Sequence, residues 1–341
     1  MTELGAEIEA PNYPEIGHDY LPDNVVVHFH FGPHAAAEHV DTVKELLPKA
    51  DIVVPELHGW NEANISDYRA ISRGDQKALD RLTQDNPYDH LAAYRHEMYR
   101  ALFDKWKPVI FIDASEDEAK ALGKNPTHTL LGTVVTTNLD ETLQNYSRLI
   151  TGFAKQSEAR NQMMIGNLGT KVTDIVTGHP KLKSKPQVNV LATLGSLHLP
   201  MYEYLKQQPE TSENVTASMS PIRAPHDEAF LAYSRGHEPS RDQLVEFLMI
   251  DAFARVPSLV DSGLSMMSPS NDAVSPRTET LVVYTAIDLM KHDEAAVNLA
   301  LDIAAHGFTQ ERRECLMPYI SAANKKLYET TGQFIDPNQE S

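Results

Sequence analysis

The first regular pattern along the chain is Val25-Val26-Val27-His28-Phe29-His30-Phe31, a run of β-branched and aromatic residues that stops at Gly32-Pro33. Such a run predicts a strand closed by a turn. From Ala35 to Leu47, the residues Ala36, Val40, Val43 and Leu47 share one helical face, and Pro48 ends it. Asp51-Ile52-Val53-Val54-Pro55-Glu56-Leu57 is a second short apolar run. A strand, a helix and a strand in so little chain predict a parallel βαβ unit, because parallel neighbours need a crossover between them.

The stretch 61–105 is polar and helical in pattern, and Pro108-Val109-Ile110-Phe111-Ile112-Asp113 predicts a third strand. A long helix follows from about Asp140 through Lys171, carrying Leu143, Tyr146, Leu149, Ile150, Phe153, Met163 and Met164. A fourth strand, Val188 to Leu194, ends at Gly195 and leads into a helix from about His198 to Gln207. This alternation predicts an α/β fold with a central, largely parallel sheet built from βα units and many flanking helices. Beyond it, Gln208 to Asn214 with Pro221 and Pro225 reads as linker or loop, and the Ser-rich stretch Ser262 to Pro276 as irregular. Arg241–Arg255, Glu279–Lys291, Glu294–Ala305 and Gln310–Glu329 are helical in pattern. The expected organisation is an N-terminal extension over 1–24, an α/β core with the site over 25–207, and a mainly helical cap or packing layer of the same domain over 208–341.

Composition narrows the function classes. Of 341 residues, 41% are hydrophobic and 23% charged, as in a folded soluble protein with one large domain or about two. Lys and Arg number 30 against 48 Asp and Glu, a formal charge of −18. That excess opposes binding to nucleic acid or an anionic membrane surface, both of which need clustered cations. One cysteine excludes an internal disulfide framework and a Cys-rich zinc module. The acidic start lacks the basic and apolar regions of an export signal, and the most apolar run, Leu281 to Met290, is short and interrupted by Asp288. A cytoplasmic protein is the expectation.

Common catalytic motifs fail on spacing. His96-Glu97 opens like a zincin helix, but the second His position is Arg100. Gly123-Lys124 lacks the upstream Gly of a phosphate loop, and Gly263-Leu264-Ser265 lacks the final Gly of a nucleophile elbow. Cys315, in a helical setting, reads as a buried inert thiol. What remains is polar residues at strand ends: His34 after the first strand, Glu56 closing the second, His198 just after the fourth. Parallel topology gathers these ends at one sheet edge, where ligands of open α/β sheets sit. His28 and His30 share a strand face and are expected to be satisfied within the sheet, while His39 and His58 lie near enough in sequence to support a site.

Several motifs together resemble the TraB/PrgY, Tiki and erythromycin-esterase-like superfamily. They are Phe31-Gly32-Pro33-His34 with the strand ending in Glu56-Leu57, Glu158-Ala159-Arg160-Asn161-Gln162-Met163-Met164, and Leu194-Gly195-Ser196-Leu197-His198, in that order. The resemblance covers about Val25 to Leu205. It implies a hydrolase of ester or peptide bonds, with His34 and His198 as paired histidines, Glu56 as carboxylate, and Arg160 and Asn161 as a polar clamp; His39, His58 and Ser196, close by in sequence, are the supporting candidates. Two chemistries stay open: His/Glu general base catalysis with Arg160 on an oxyanion, or His34, Glu56 and His198 as an open three-ligand site for a divalent metal such as Zn, Mn or Co. A non-catalytic binding or regulatory protein keeping the same fold is the alternative, and incidental strand-end histidines a third. The negative charge favours a neutral or cationic small molecule or peptide as the partner.

Overall fold

In β1 (Val25–Phe31), Val25, Val27, Phe29 and Phe31 are fully buried, so the alternation in sequence does place one strand face in the core. A computed structural model describes residues 13–32, 37–83, 92–122, 134–220, 225–253 and 276–331. After β1 come α1 (Ala37–Leu46), β2 (Ile52–Pro55), α2 (Glu62–Ser72), α3 (Gln76–Leu82), α4 (Ala92–Leu102) and α5 (Glu116–Leu122). A long helix, α6 (Leu139–Gly178), and a short one, α7 (Pro180–Lys183), lead to β3 (Val188–Leu194), α8 (Leu199–Gln207) and β4 (Val215–Met219). The remaining elements are all helices: α9 (Pro225–Ser234), α10 (Arg241–Phe253), α11 (Pro276–Met290), α12 (Glu294–His306) and α13 (Gln310–Thr331). The protein is α/β with a helical C-terminal region.

The four strands pair in the order β2-β3-β1-β4, all parallel. In register, Val25 faces Val188 and Phe31 faces Leu194 across β1 and β3, so these two strands end level with each other. Pro55 of β2 faces Thr193 of β3, and the Glu56 N–H continues the ladder to Thr193 O at 3.0 Å. The segment 108–113 is not a full strand. It joins β2 through one parallel bridge, Val53 to Val109, with Val53 N–H on Pro108 O at 2.9 Å and Ile110 N–H on Val53 O at 3.0 Å. Its outer carbonyls are taken by side chains instead: Asn167 Nδ2 on Ile112 O at 2.9 Å and Lys171 Nζ on Phe111 O at 2.7 Å. The edge is thereby capped from α6.

The chain divides into two compact units. One comprises 9–124 and 154–223 and holds the whole sheet. One of its cores joins Val43 and Leu47, Val53, Tyr68 and Ile71, Met98 and Leu102, and Phe111. The stretch 208–223, expected with the helical layer, belongs here through β4. The other unit comprises 1–8, 125–153 and 224–341 and is helical where described. Phe153, Phe230 and Phe247 pack in sequence at ring distances of 4.8 and 5.8 Å, and the Tyr146 hydroxyl donates to Asp251 at 2.9 Å. On α13, Leu316, Ile320, Ala323 and Leu327 form the buried stripe. Cys315 lies one position off that stripe and is exposed, which corrects the expected burial of the thiol. Among the described residues, no helix is long and apolar enough to cross a membrane.

Candidate functional site

Strand ends supply the site. Glu56 follows the last residue of β2, and Gly195 follows the last residue of β3. The turn from Gly195 into α8 carries Ser196 and His198, both buried. Level register brings the two strand ends together, and Gly195 N–H donates to Glu56 Oε2 at 2.6 Å. His198 places Nε2 at 3.1 Å from Glu56 Oε1 and Nδ1 at 2.5 Å from Asn161 Oδ1. Both ring nitrogens face oxygen atoms, so the imidazole is held from two sides.

Arg160, next to Asn161 on α6, completes the cluster. Its Nη2 donates to Glu56 Oε1 at 3.0 Å and to Asp113 Oδ2 at 2.6 Å, and its Nε donates to Asp113 Oδ1 at 3.1 Å. The fork on Asp113 uses Nε and Nη2, the bidentate geometry that fixes a guanidinium plane. Burial would lower the Arg160 pKa, yet Asp113 and Glu56 raise it beyond its ordinary value, so the cation is secure. For Asp113, which is fully buried, burial pushes upward. The His58 side chain, then the charge and hydrogen bonds of Arg160, outweigh it and hold the carboxyl at about 2. Asp113 Oδ1 also accepts the Ala114 N–H at 2.7 Å.

Exposure separates the members of the cluster. His198 is 1% exposed, Glu56 and Arg160 are 14%, and His58, whose Nδ1 stands 3.5 Å from Asp113 Oδ1, is 40% exposed. The reachable surface of the cluster is therefore made by Glu56, Arg160 and His58. Among the described residues, Arg160 Nη1 makes no hydrogen bond.

Of the residues expected from sequence, Glu56, His198, Arg160 and Asn161 come together, with His58 and Ser196 beside them. His34 lies outside the described residues, as does the side chain of His39 on α1. Two members were missed. Asp113 ends the segment expected as a strand, so the strand-end rule that selected Glu56 would have found it. Tyr13 belongs to the stretch set aside as an extension. Its ring lies 4.7 Å from that of Tyr204, and its buried hydroxyl sits beside Asn161, with burial pushing its pKa up to about 12. No pattern in the sequence points to it.

Of the three side chains expected for a metal site, Glu56 and His198 are described and His34 is not. Glu56 and His198 bond to each other, and the second imidazole nitrogen meets Asn161. Among the described residues, no three His, Cys, Asp or Glu side chains converge as a metal site. His28 is satisfied in the sheet, as expected, with Thr216 and Ser218 at 2.9 Å each, and His30 Nδ1 contacts Ser218 at 2.8 Å. Comparison with family models, curated proteins and solved structures finds no match to this chain.

Proposed function

We propose that the protein is a hydrolase of the TraB/PrgY, Tiki and erythromycin-esterase-like kind, cleaving an ester or peptide bond at the strand-end cluster. One observation carries the reading: the Glu56 carboxylate receives the Gly195 N–H, the Arg160 guanidinium and the His198 imidazole at once. A purely structural role would not require two carboxylates and a guanidinium in a single largely buried cluster, because each charge is costly to desolvate. In the proposed reaction, water adds to the substrate carbonyl and passes its proton to His58, the exposed imidazole over Asp113. That proton then goes to the leaving oxygen or nitrogen. Arg160 offers its unpaired Nη1 to the oxyanion, a contribution typically worth hundredfold or more, on the order of 10² to 10³ in rate. His198 and Asn161 hold Glu56 and do not meet substrate.

Purified protein assayed on a panel of neutral and cationic esters and peptides tests this. Turnover should fall at least about a hundredfold in Arg160→Ala and strongly in His198→Gln. Turnover unchanged in both variants overturns the assignment. A chelator arm separates the two chemistries: activity lost to chelator and restored by Zn, Mn or Co would assign the metal-assisted version.

A second reading is favoured by the completeness of the same network. Both oxygens of Glu56 and both nitrogens of His198 are already engaged, as in a site that holds a ligand without turning it over. Saturable binding of a panel compound without hydrolysis selects this reading.

A further inference from the structure

A cleft of about 890 Å³ runs along the outer side of the segment 108–111, between α2 and the C-terminal part of α6. Its lining carries six cations, Arg69, Arg73, Lys105, Lys107, Lys171 and Lys181, against two carboxylates. One of those, Asp51, is already held by Lys185 at 2.6 Å. Among the described residues, none of the six cations makes an ion pair. Lys107 and Lys171 are half-buried, and among the described residues their ammonium groups contact the carbonyls of Ala50 and Phe111 and, for Lys171, the Trp60 ring at 4.3 Å. Desolvation lowers both pKa values, outweighing the charge of Asp51 near Lys107 and of Glu118 near Lys171. In a chain of net charge −18, so many unneutralised cations in one concavity is a local reversal of sign.

An independent feature lies on the same rim. Asp104 and Trp106 have φ of 56° and 55°, the left-handed region that a bulky residue avoids. The turn is held there from several sides: Asp104 N–H on Ile71 O at 3.1 Å, Trp106 N–H on Ser72 O at 2.7 Å, and Lys107 N–H on Ser72 Oγ at 2.8 Å. Gly74 makes room for it, since a Cβ there would stand 3.0 Å from Asp104 Oδ1 and its own φ is 82°. The outcome of this enforced strain is an indole that is 70% exposed, the large apolar side chain that the described surface leaves in water. Strain of this kind persists where surrounding structure imposes it, most often at ligand sites.

We infer that this cleft binds a small organic anion that joins phosphate groups to a planar ring, the chemistry of a nucleotide, with Arg69, Arg73, Lys105 and Lys107 on the phosphates and Trp106 stacked on the ring. The volume suits a ligand of that size. A nucleic-acid chain is disfavoured because a long polyanion meets the −18 field beyond the cleft, whereas a small one meets only the local charge. The site is separate from the strand-end cluster and does not depend on the hydrolase reading.

Titration calorimetry of the full chain with ATP, adenosine, pyrophosphate and a short single-stranded RNA tests the inference. ATP should bind saturably, and adenosine and pyrophosphate each at least about tenfold more weakly, since each keeps one of the two recognition elements. Trp106→Gly, which suits φ near 55° and so leaves the circular dichroism spectrum unchanged, should weaken ATP by about tenfold and pyrophosphate not at all. The double variant Arg69→Gln, Arg73→Gln should weaken ATP and pyrophosphate alike. Absence of saturable ATP binding, ATP affinity unchanged in both variants, or RNA bound more tightly than ATP would each overturn it. Ester and peptide turnover enters none of these readouts.

Discussion

At the scale of single residues, histidine is used here in three environments with three consequences. His198 is locked between Glu56 and Asn161, His58 stands in solvent over Asp113, and His28 with His30 lines the sheet. The sheet pair sets a pH dependence. Burial, and for His30 also the neighbouring His28, depress both pKa values, His30 to about 4 from an ordinary 6.5. The unfolded chain therefore takes up the proton first. Stability is full above about pH 6.5 and is lost as pH falls toward 4, by on the order of 3 kcal/mol from His30 alone if the window is crossed completely. The expected result is a urea midpoint that drops between pH 7 and pH 5 in the wild type and drops less in His30→Gln. Parallel drops in the two proteins would show that other groups set the dependence.

At the scale of elements, α6 positions the cluster, and one glycine lets the chain lie against it. A Cβ at Gly169 would come within 2.6 Å of the Tyr20 ring and 2.8 Å of its carbonyl oxygen, while the Tyr20 hydroxyl donates to Ile165 O at 2.6 Å. Gly169→Ala must push the segment from Tyr13 to Tyr20 off the helix, so it should cost about 1–3 kcal/mol by overpacking despite the better helix propensity of alanine. Chemical denaturation measures this, and a stabilised variant would mean that the segment is not held there. Elements also explain what the sequence made legible. β1, β2 and β3 announce themselves because each is buried on both faces or alternates cleanly. β4 escaped because Thr216 and Ser218 are polar, and their reason for being so, pairing with His28 and His30, lies 188 and 190 residues away. The segment 108–113 has strand composition, yet its outer edge bonds to α6 side chains in place of another strand. Glu56, His198 and Arg160 were readable from strand ends and a helix motif. Tyr13 was not, since only tertiary packing brings it to Asn161.

At the scale of the whole molecule, charge is distributed so that one variable acts in opposite directions. A formal charge of −18 places most of the surface under mutual repulsion, which opposes the compact state, while the cleft beside Trp106 concentrates unpaired cations. Raising salt shortens the screening length from about 10 Å at 0.1 M to about 3 Å at 1 M. Repulsion among exposed carboxylates fades, so the melting temperature should rise with sodium chloride in the absence of ligand. Attraction between the cleft and an anion fades by the same screening, so ATP affinity should fall over the same range. A scan of melting temperature and of calorimetric affinity against salt reads both. If affinity were flat or rose with salt, binding would be carried by the ring alone and the cations of the cleft would have no part in it. If the melting temperature fell, attractive pairs such as Lys185 with Asp51 and Lys120 with Glu116 would outweigh the net charge. Exposed pairs contribute little individually, about 0 to 1 kcal/mol, which is why the net charge is expected to decide the sign.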